Sequence, residues 1–198
     1  MNTLPESILR CAQSLPEGGI VSPKEFLHLG SREAVDQALS RLVKAGKLLR
    51  VGRGMYAPPI HSRFGTRPPA PAKVVKALAE RSGEVVTTHG ASAANALGLT
   101  QQVPIQEVYL TSGRSRKLRL GKAEVSVKHA PRWMLLMANR PAGAAVRALA
   151  WIGQAHAGEA VKVLHRKLPE TEWQALIANR AELPGWMAAA IGREAQHG

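Results

Sequence analysis

Apolar residues first recur at helical spacing at Leu4, Ile8, Cys11, Ala12 and Leu15, which predicts a helix over residues 4–15. Gly18 and Gly19 break it. Ser22 followed by Pro23 places a cap residue ahead of proline at a first helical position, so residues 23–29 are expected as a second helix. Gly30 ends that segment and Ser31 can cap the next. There Val35, Ala38, Leu39 and Leu42 make one apolar stripe that runs to the stop at Gly46. After Gly46 the period shortens to two. Residues 47–51 and 55–57 read as strands about the turn Gly52-Arg53-Gly54, and Pro58-Pro59 stops the second strand.

Residues 61–72 hold Pro68-Pro69-Ala70-Pro71 and two arginines, the composition of a semi-rigid linker, so a boundary is expected near residue 68. Beyond it the pattern predicts a helix over 73–81, a strand over 84–88 and a small-residue helix over 91–97. Alternating segments at 105–111, 117–120 and 124–129 predict a small antiparallel sheet. Helices follow at about 141–152, 157–168, 170–180 and 184–195, punctuated by Gly153, Gly158, Pro169 and Pro184. The expected fold class is α+β. An N-terminal winged helix-turn-helix (1–67) precedes an α+β C-terminal domain (68–198) with a small antiparallel sheet and a helical tail. Four tryptophans lie in the second half; Trp151, on a helix face with Ala148 and Ala155, reads as a core residue.

Charge changes the picture. The 198 residues carry 27 Lys and Arg against 14 acids, a net charge of +13, which favours a polyanionic partner. Thirteen of the fourteen acids are Glu, the only Asp being Asp36, so the clustered carboxylates of two-metal phosphoryl chemistry are not in evidence. The seven histidines are scattered without metal-ligand spacing, and no GxSxG, Walker or dinucleotide-binding loop occurs. Neither an enzyme nor a metal or organic cofactor is expected. Cys11 is the only cysteine, which excludes an internal disulfide, and it reads as a small residue packed on its helix. No apolar run approaches the ~18 residues of a membrane span. The opening residues lack the pattern of a secretion signal, so the cytoplasm is the expected compartment and a membrane is not an expected partner.

From Gln37 to Ala79 there is no acid at all, while nine residues are Lys or Arg. On a helical wheel Glu33, Gln37, Ser40 and Lys44 lie opposite the apolar stripe, flanked by Asp36 and Arg41. Gln37 and Arg41 suit base edges and Ser40 can donate or accept, whereas Lys44, Lys47, Arg50 and Arg53 suit phosphates. A second basic cluster, Arg114, Arg116, Lys117, Arg119, Lys122 and Lys128, runs from a turn into a strand, where amides and guanidinium groups can converge on an anion. A solubilising hairpin tip is the other reading of that cluster.

Two stretches resemble a known family: ALSRLVKAGKLLRVGRGMYAPP at 38–59 and HGASAANALGLTQQVPIQEVYLTSGRSRKLRLGKAEVSVKHAPR at 89–132. They are similar to AbiEi-type antitoxins, the regulators of bacterial type IV abortive-infection toxin–antitoxin pairs, with SAANALGLTQQVP and TSGRSRKLRLG the more restrictive parts. The resemblance implies a winged helix that represses its own operon at inverted repeats. It also implies a C-terminal domain that counters a nucleotidyltransferase toxin, by an indirect route or by contact, and no enzymatic activity. By it, residues 31–44 and 47–56 would carry operator binding, adding Ser31, Arg32 and Tyr56 to the residues above. The basic face at 114–128 would serve antitoxicity or further DNA contact. A ligand-responsive winged-helix regulator without a toxin, closing on a small metabolite near its tryptophans, is the alternative.

Overall fold

The computed structural model describes residues 3–197. Helix α1 (Leu4–Ser14) starts at a capping box in which the Thr3 N–H donates to the Glu6 carboxylate at 2.8 Å. The second helix expected at 23–29 is only a 3₁₀ turn, Pro23–Phe26. Leu27 and Leu29 beyond it are exposed, so no burial supports further turns. Helix α2 (Arg32–Lys44) is capped as expected, the Ser31 hydroxyl accepting from the Ala34 N–H at 3.2 Å. Strands β1 (Leu49–Gly52) and β2 (Met55–Ala57) form an antiparallel hairpin.

The segment expected as a linker instead folds into a second hairpin, β3 (Ile60–Ser62) with β4 (Gly65–Arg67). The Ser62 hydroxyl closes its turn by donating to the Gly65 carbonyl and accepting from the Phe64 N–H, both at 3.2 Å. Next come α3 (Pro71–Ser82), β5 (Val86–Thr88) and α4 (Gly90–Ala96). The three expected strands appear as β6 (Glu107–Thr111), β7 (Arg116–Leu120) and β8 (Ala123–His129). Helices α5 (Pro141–Ile152), α6 (Ala157–Lys167), α7 (Glu170–Ala178) and α8 (Gly185–His197) complete a mixed α+β chain. Among the described residues no helix is long and apolar enough to cross a membrane.

The chain divides into two compact units, neither of them a single stretch: residues to 84 with 115–127, and 85–114 with the residues from 128. In the first, Val35, Ala38, Leu39 and Leu42 of α2 pack with Ile8 and Ala12 of α1, Phe26, Leu48 and Tyr56. Cys11, expected inside, is exposed on α1. The α1 face that closes this core is narrow, with Ile8 and Ala12 fully buried and Cys11 one position off their line. Glu17 holds the loop after α1 to the start of α3. It accepts from Lys73 Nζ at 2.5 Å, Arg67 at 2.9 Å and the Ala70 N–H at 3.1 Å. Gly18 beside it has φ +90°, and a Cβ there would meet the Lys73 carbonyl carbon at 2.5 Å, so no side chain fits. Arg81 on α3 donates to the Ile20 carbonyl at 2.8 Å and pairs with Glu25. The bidentate pair of Arg116 with Glu84, at 2.9 and 2.8 Å, ties β7 to the end of α3.

In the second unit, Val146 and Leu149 of α5 pack with Val161 and Leu164 of α6, Trp173 and Leu176 of α7, and Met187 and Ile191 of α8. Trp173 stacks on His165 with centroids 4.3 Å apart. Gly143 permits the close approach of α5 to the preceding corner, since a Cβ there would lie 2.0 Å from the Met137 carbonyl oxygen. Trp151, expected in the core, is 39% exposed. Its backbone is held against the first residue of α4, where a Cβ on Gly90 would lie 2.8 Å from Trp151 Cβ, and its ring is left at the surface.

The three donors on Glu17, Lys73 first, then the Ala70 N–H and Arg67, hold its carboxyl down from 4.5 to about 2. A depressed carboxyl contributes stability that is complete above the unfolded value and is lost as pH falls toward the folded one. Urea midpoints of the parent should therefore drop between pH 4.5 and about 2, and Glu17→Gln should flatten that limb while lowering the midpoint at neutral pH. An unchanged acid limb in the variant would show that this carboxylate does not hold the unit together.

Candidate nucleic-acid interface

Burial of the apolar stripe fixes the rotation of α2 and turns a polar face outward. Arg32, Glu33, Asp36, Gln37, Ser40, Arg41 and Lys44 are all exposed. Arg32 is paired with Asp36 at 2.8 Å, so this cation and the nearest acid largely cancel. Gln37, Ser40, Arg41 and Lys44 make no side-chain hydrogen bond or ion pair among the described residues, and their donors stay available. Ser31 spends an acceptor lone pair on its cap and keeps its hydroxyl proton.

The β1–β2 hairpin adds Arg50 and, at its turn, Arg53, both exposed and without an ion pair among the described residues. Gly54 takes φ +67° in that turn, which lets the backbone approach an anion closely. Lys47 is exposed at the entry to β1 and lies near Glu6, whose carboxyl is lowered first by the Thr3 N–H and in smaller part by Lys47. Tyr56 does not belong to this surface. It is 8% exposed and sits in the core with Leu39, because its strand pairs on one side with β1 and on the other with Val21, at 2.9 and 3.0 Å. The position is a central one, and only its register partner Arg50 reaches solvent.

The second basic cluster is divided. Arg116 is committed to Glu84 and half-buried, and Lys117 pairs with Glu124 at 2.8 Å, which lowers that carboxyl. Arg119 and Lys122 stay exposed on the β7–β8 hairpin, which lies beside β1 in the first unit. Arg114 and Lys128, also exposed, belong to the second unit.

The β3–β4 turn carries a pair that the linker reading passed over. Phe64 is 86% exposed with the Arg63 guanidinium 4.7 Å above its ring. The signal was present in the alternating residues either side of Ser62-Arg63-Phe64-Gly65.

The electrostatics follow from how the acids are used. The first unit holds 17 Lys and Arg against eight acids. Glu17, Glu25 and Glu84 bind cations that join distant segments, Asp36, Glu80 and Glu124 bind near neighbours, and Glu6 caps α1. Glu33 is exposed on α2 and makes no ion pair among the described residues; of the exposed cations likewise without one, Arg41, Lys44, Arg50, Arg53, Arg119 and Lys122 lie on α2 and the β1–β2 and β7–β8 hairpins. Among the described residues no group of three or more His, Cys, Asp or Glu is placed to hold a metal ion.

No curated protein matches the chain. Among solved structures, the RV2827C protein from Mycobacterium tuberculosis is similar at 17% identity, with 97% of this chain and 82% of that chain covered and a TM-score of 0.45. Residues 7–173 match DUF6088, a family of unknown function, and the chain belongs to that family.

Proposed function

We propose that the first unit is a winged helix that binds double-stranded DNA, with α2 in the major groove and the β1–β2 hairpin as the wing. The observation that carries this reading is the unpaired, exposed set Gln37, Ser40, Arg41 and Lys44 on α2, continued by Arg50 and Arg53, in a unit where, among the described residues, seven of the eight acids are committed and Glu33 alone is not. Gln37 and Arg41 are suited to base edges, and Lys44, Arg50 and Arg53 to phosphates. Arg119 and Lys122 lengthen the phosphate track, and the Arg63–Phe64 tip offers a cation and an apolar wedge of the kind used in minor grooves.

With the likeness to AbiEi-type antitoxins, this reading makes the chain an autorepressor in the cytoplasm, acting at inverted repeats in its own operon and relieving the toxicity of a nucleotidyltransferase without itself being an enzyme. The ligand-responsive alternative is favoured by one feature, the half-exposed Trp151 at a cavity of the second unit.

In gel-shift titrations on DNA upstream of its own gene, Gln37→Ala should cost about 1–3 kcal/mol, confined to one base pair of each half-site. Equal loss on scrambled DNA would remove α2 from base reading. Arg53→Ala should weaken operator and random DNA alike and lower the slope of log K against log salt by about one. An unchanged slope would exclude a phosphate contact by the wing. In cells that express a nucleotidyltransferase encoded beside this gene, growth should stop and be restored by this chain. Absence of such a neighbour, or no rescue, would overturn the antitoxin half and leave DNA binding standing.

A further inference from the structure

Every residue of the second hairpin from His61 to Arg67 is exposed, so this ribbon buries almost nothing. A two-stranded ribbon on its own is marginal in water, and its shape has to be held by other means. At the root Pro58, Pro59 and Pro69 are buried, and Glu17 accepts from Arg67 at 2.9 Å and from the Ala70 N–H at 3.1 Å. Along the strands the register pair His61 and Thr66 is joined through Nδ1 and Oγ1 at 2.9 Å. At the turn the Ser62 hydroxyl bonds to both Gly65 and Phe64. This fastening positions the turn and serves no core face.

Ser62 and Gly65 are register partners, so Arg63 and Phe64 are the two residues that make the end of the ribbon. At ~3.3 Å per residue, three-residue strands carry them about 10 Å from the root. The Phe64 ring is 86% exposed, with the Arg63 guanidinium 4.7 Å from its centroid. Arg63 makes no ion pair among the described residues, and no acid lies anywhere in 60–67. The root stands beside the basic surface, because Ile60 and His61 line a cavity of about 210 Å³ together with Lys47, at the entry to β1. The ribbon, α2 and the β1–β2 hairpin all belong to the first unit.

We infer that Phe64 is a wedge that enters one base step of the bound duplex from the minor groove, unstacks it and bends the DNA, while Arg63 moves from the ring to a phosphate. This rests on the DNA-binding reading and deepens it: sequence is then selected by how readily a step opens as well as by base edges. With α2 in the major groove, the minor groove is left for a second element, and only the two turn residues have to fit its width of about 6 Å. A single ring flanked by His61, Thr66 and Arg67 offers too little apolar area for a membrane anchor. Pyrimidine–purine steps, the softest, are where such a wedge goes in.

The test uses the purified full chain and the DNA fragment upstream of its own gene, with circular-permutation gels to read the bend and permanganate footprinting to read unstacked thymines. The parent should bend the fragment by about 20–90° and make a thymine of each half-site reactive. Phe64→Ala, at an exposed position, should keep the parent's melting temperature and salt slope, bind about tenfold more weakly and lose both the bend and the reactivity. Phe64→Leu should keep them, since leucine is also a wedge, and Arg63→Ala should lower the salt slope by about one. The wedge is overturned if the bound DNA is straight with no reactive thymine, if Phe64→Ala bends it like the parent, or if loss of the ring abolishes binding to phosphatidylserine vesicles and leaves DNA binding untouched. Binding to straight DNA removes the wedge alone, whereas a chain that binds no duplex at low salt overturns the DNA reading beneath it.

Discussion

Burial of Val35, Ala38, Leu39 and Leu42 is the constraint on which the candidate interface depends. A helix can turn only one stripe inward, and this one is held between Ile8 and Ala12 on one side and Leu48 and Tyr56 on the other. With that stripe fixed, Gln37, Ser40, Arg41 and Lys44 have nowhere to go but out. The same packing seats the β1–β2 hairpin, because Leu48 and Tyr56 are its inner anchors, and so Arg50 and Arg53 are placed by the hydrophobic core and not by any polar contact of their own.

Electrostatics complete what packing begins. Glu17, Glu25 and Glu84 each bind a cation from a segment far off in sequence and thereby act as fasteners. Acids used in this way cannot screen the outer face, where Glu33 is the one acid of the first unit without a paired cation among the described residues and Arg41, Lys44, Arg50, Arg53 and Lys122 meet solvent. Arg116 belongs with the fasteners despite its setting in a run of basic residues, whereas Lys122 a few residues on belongs with the exposed charge.

Much of this was legible in the residue pattern. Ser31 and Gly46 bracket α2 because cap and stop chemistry is local, and the stripe between them names its own buried face. The glycines at 52 and 54 likewise announce the first hairpin. What was not legible depends on partners distant in sequence. The β3–β4 hairpin lies between proline pairs that look like a spacer, and what anchors it is Glu17. Tyr56 carries a polar hydroxyl that fits a surface role, and only its pairing with Val21 reveals a central position. Cys11 and Trp151 sat on plausible inward faces, but helix wheels do not record how wide the covering neighbour is.

The route of the chain has a consequence for biosynthesis. The polypeptide leaves the first unit after residue 84, contributes thirty residues to the second, and returns with 115–127 before leaving again. A ribosome delivers residues in order, and domains ordinarily begin to fold as they emerge. Here the nascent N-terminal part has to wait: Glu84 lacks Arg116, and β1 lacks its neighbour β7, until the later hairpin clears the exit tunnel. Vectorial folding is thus delayed by the fold's own connectivity, and the finished candidate interface appears only after well over half of the message has been translated.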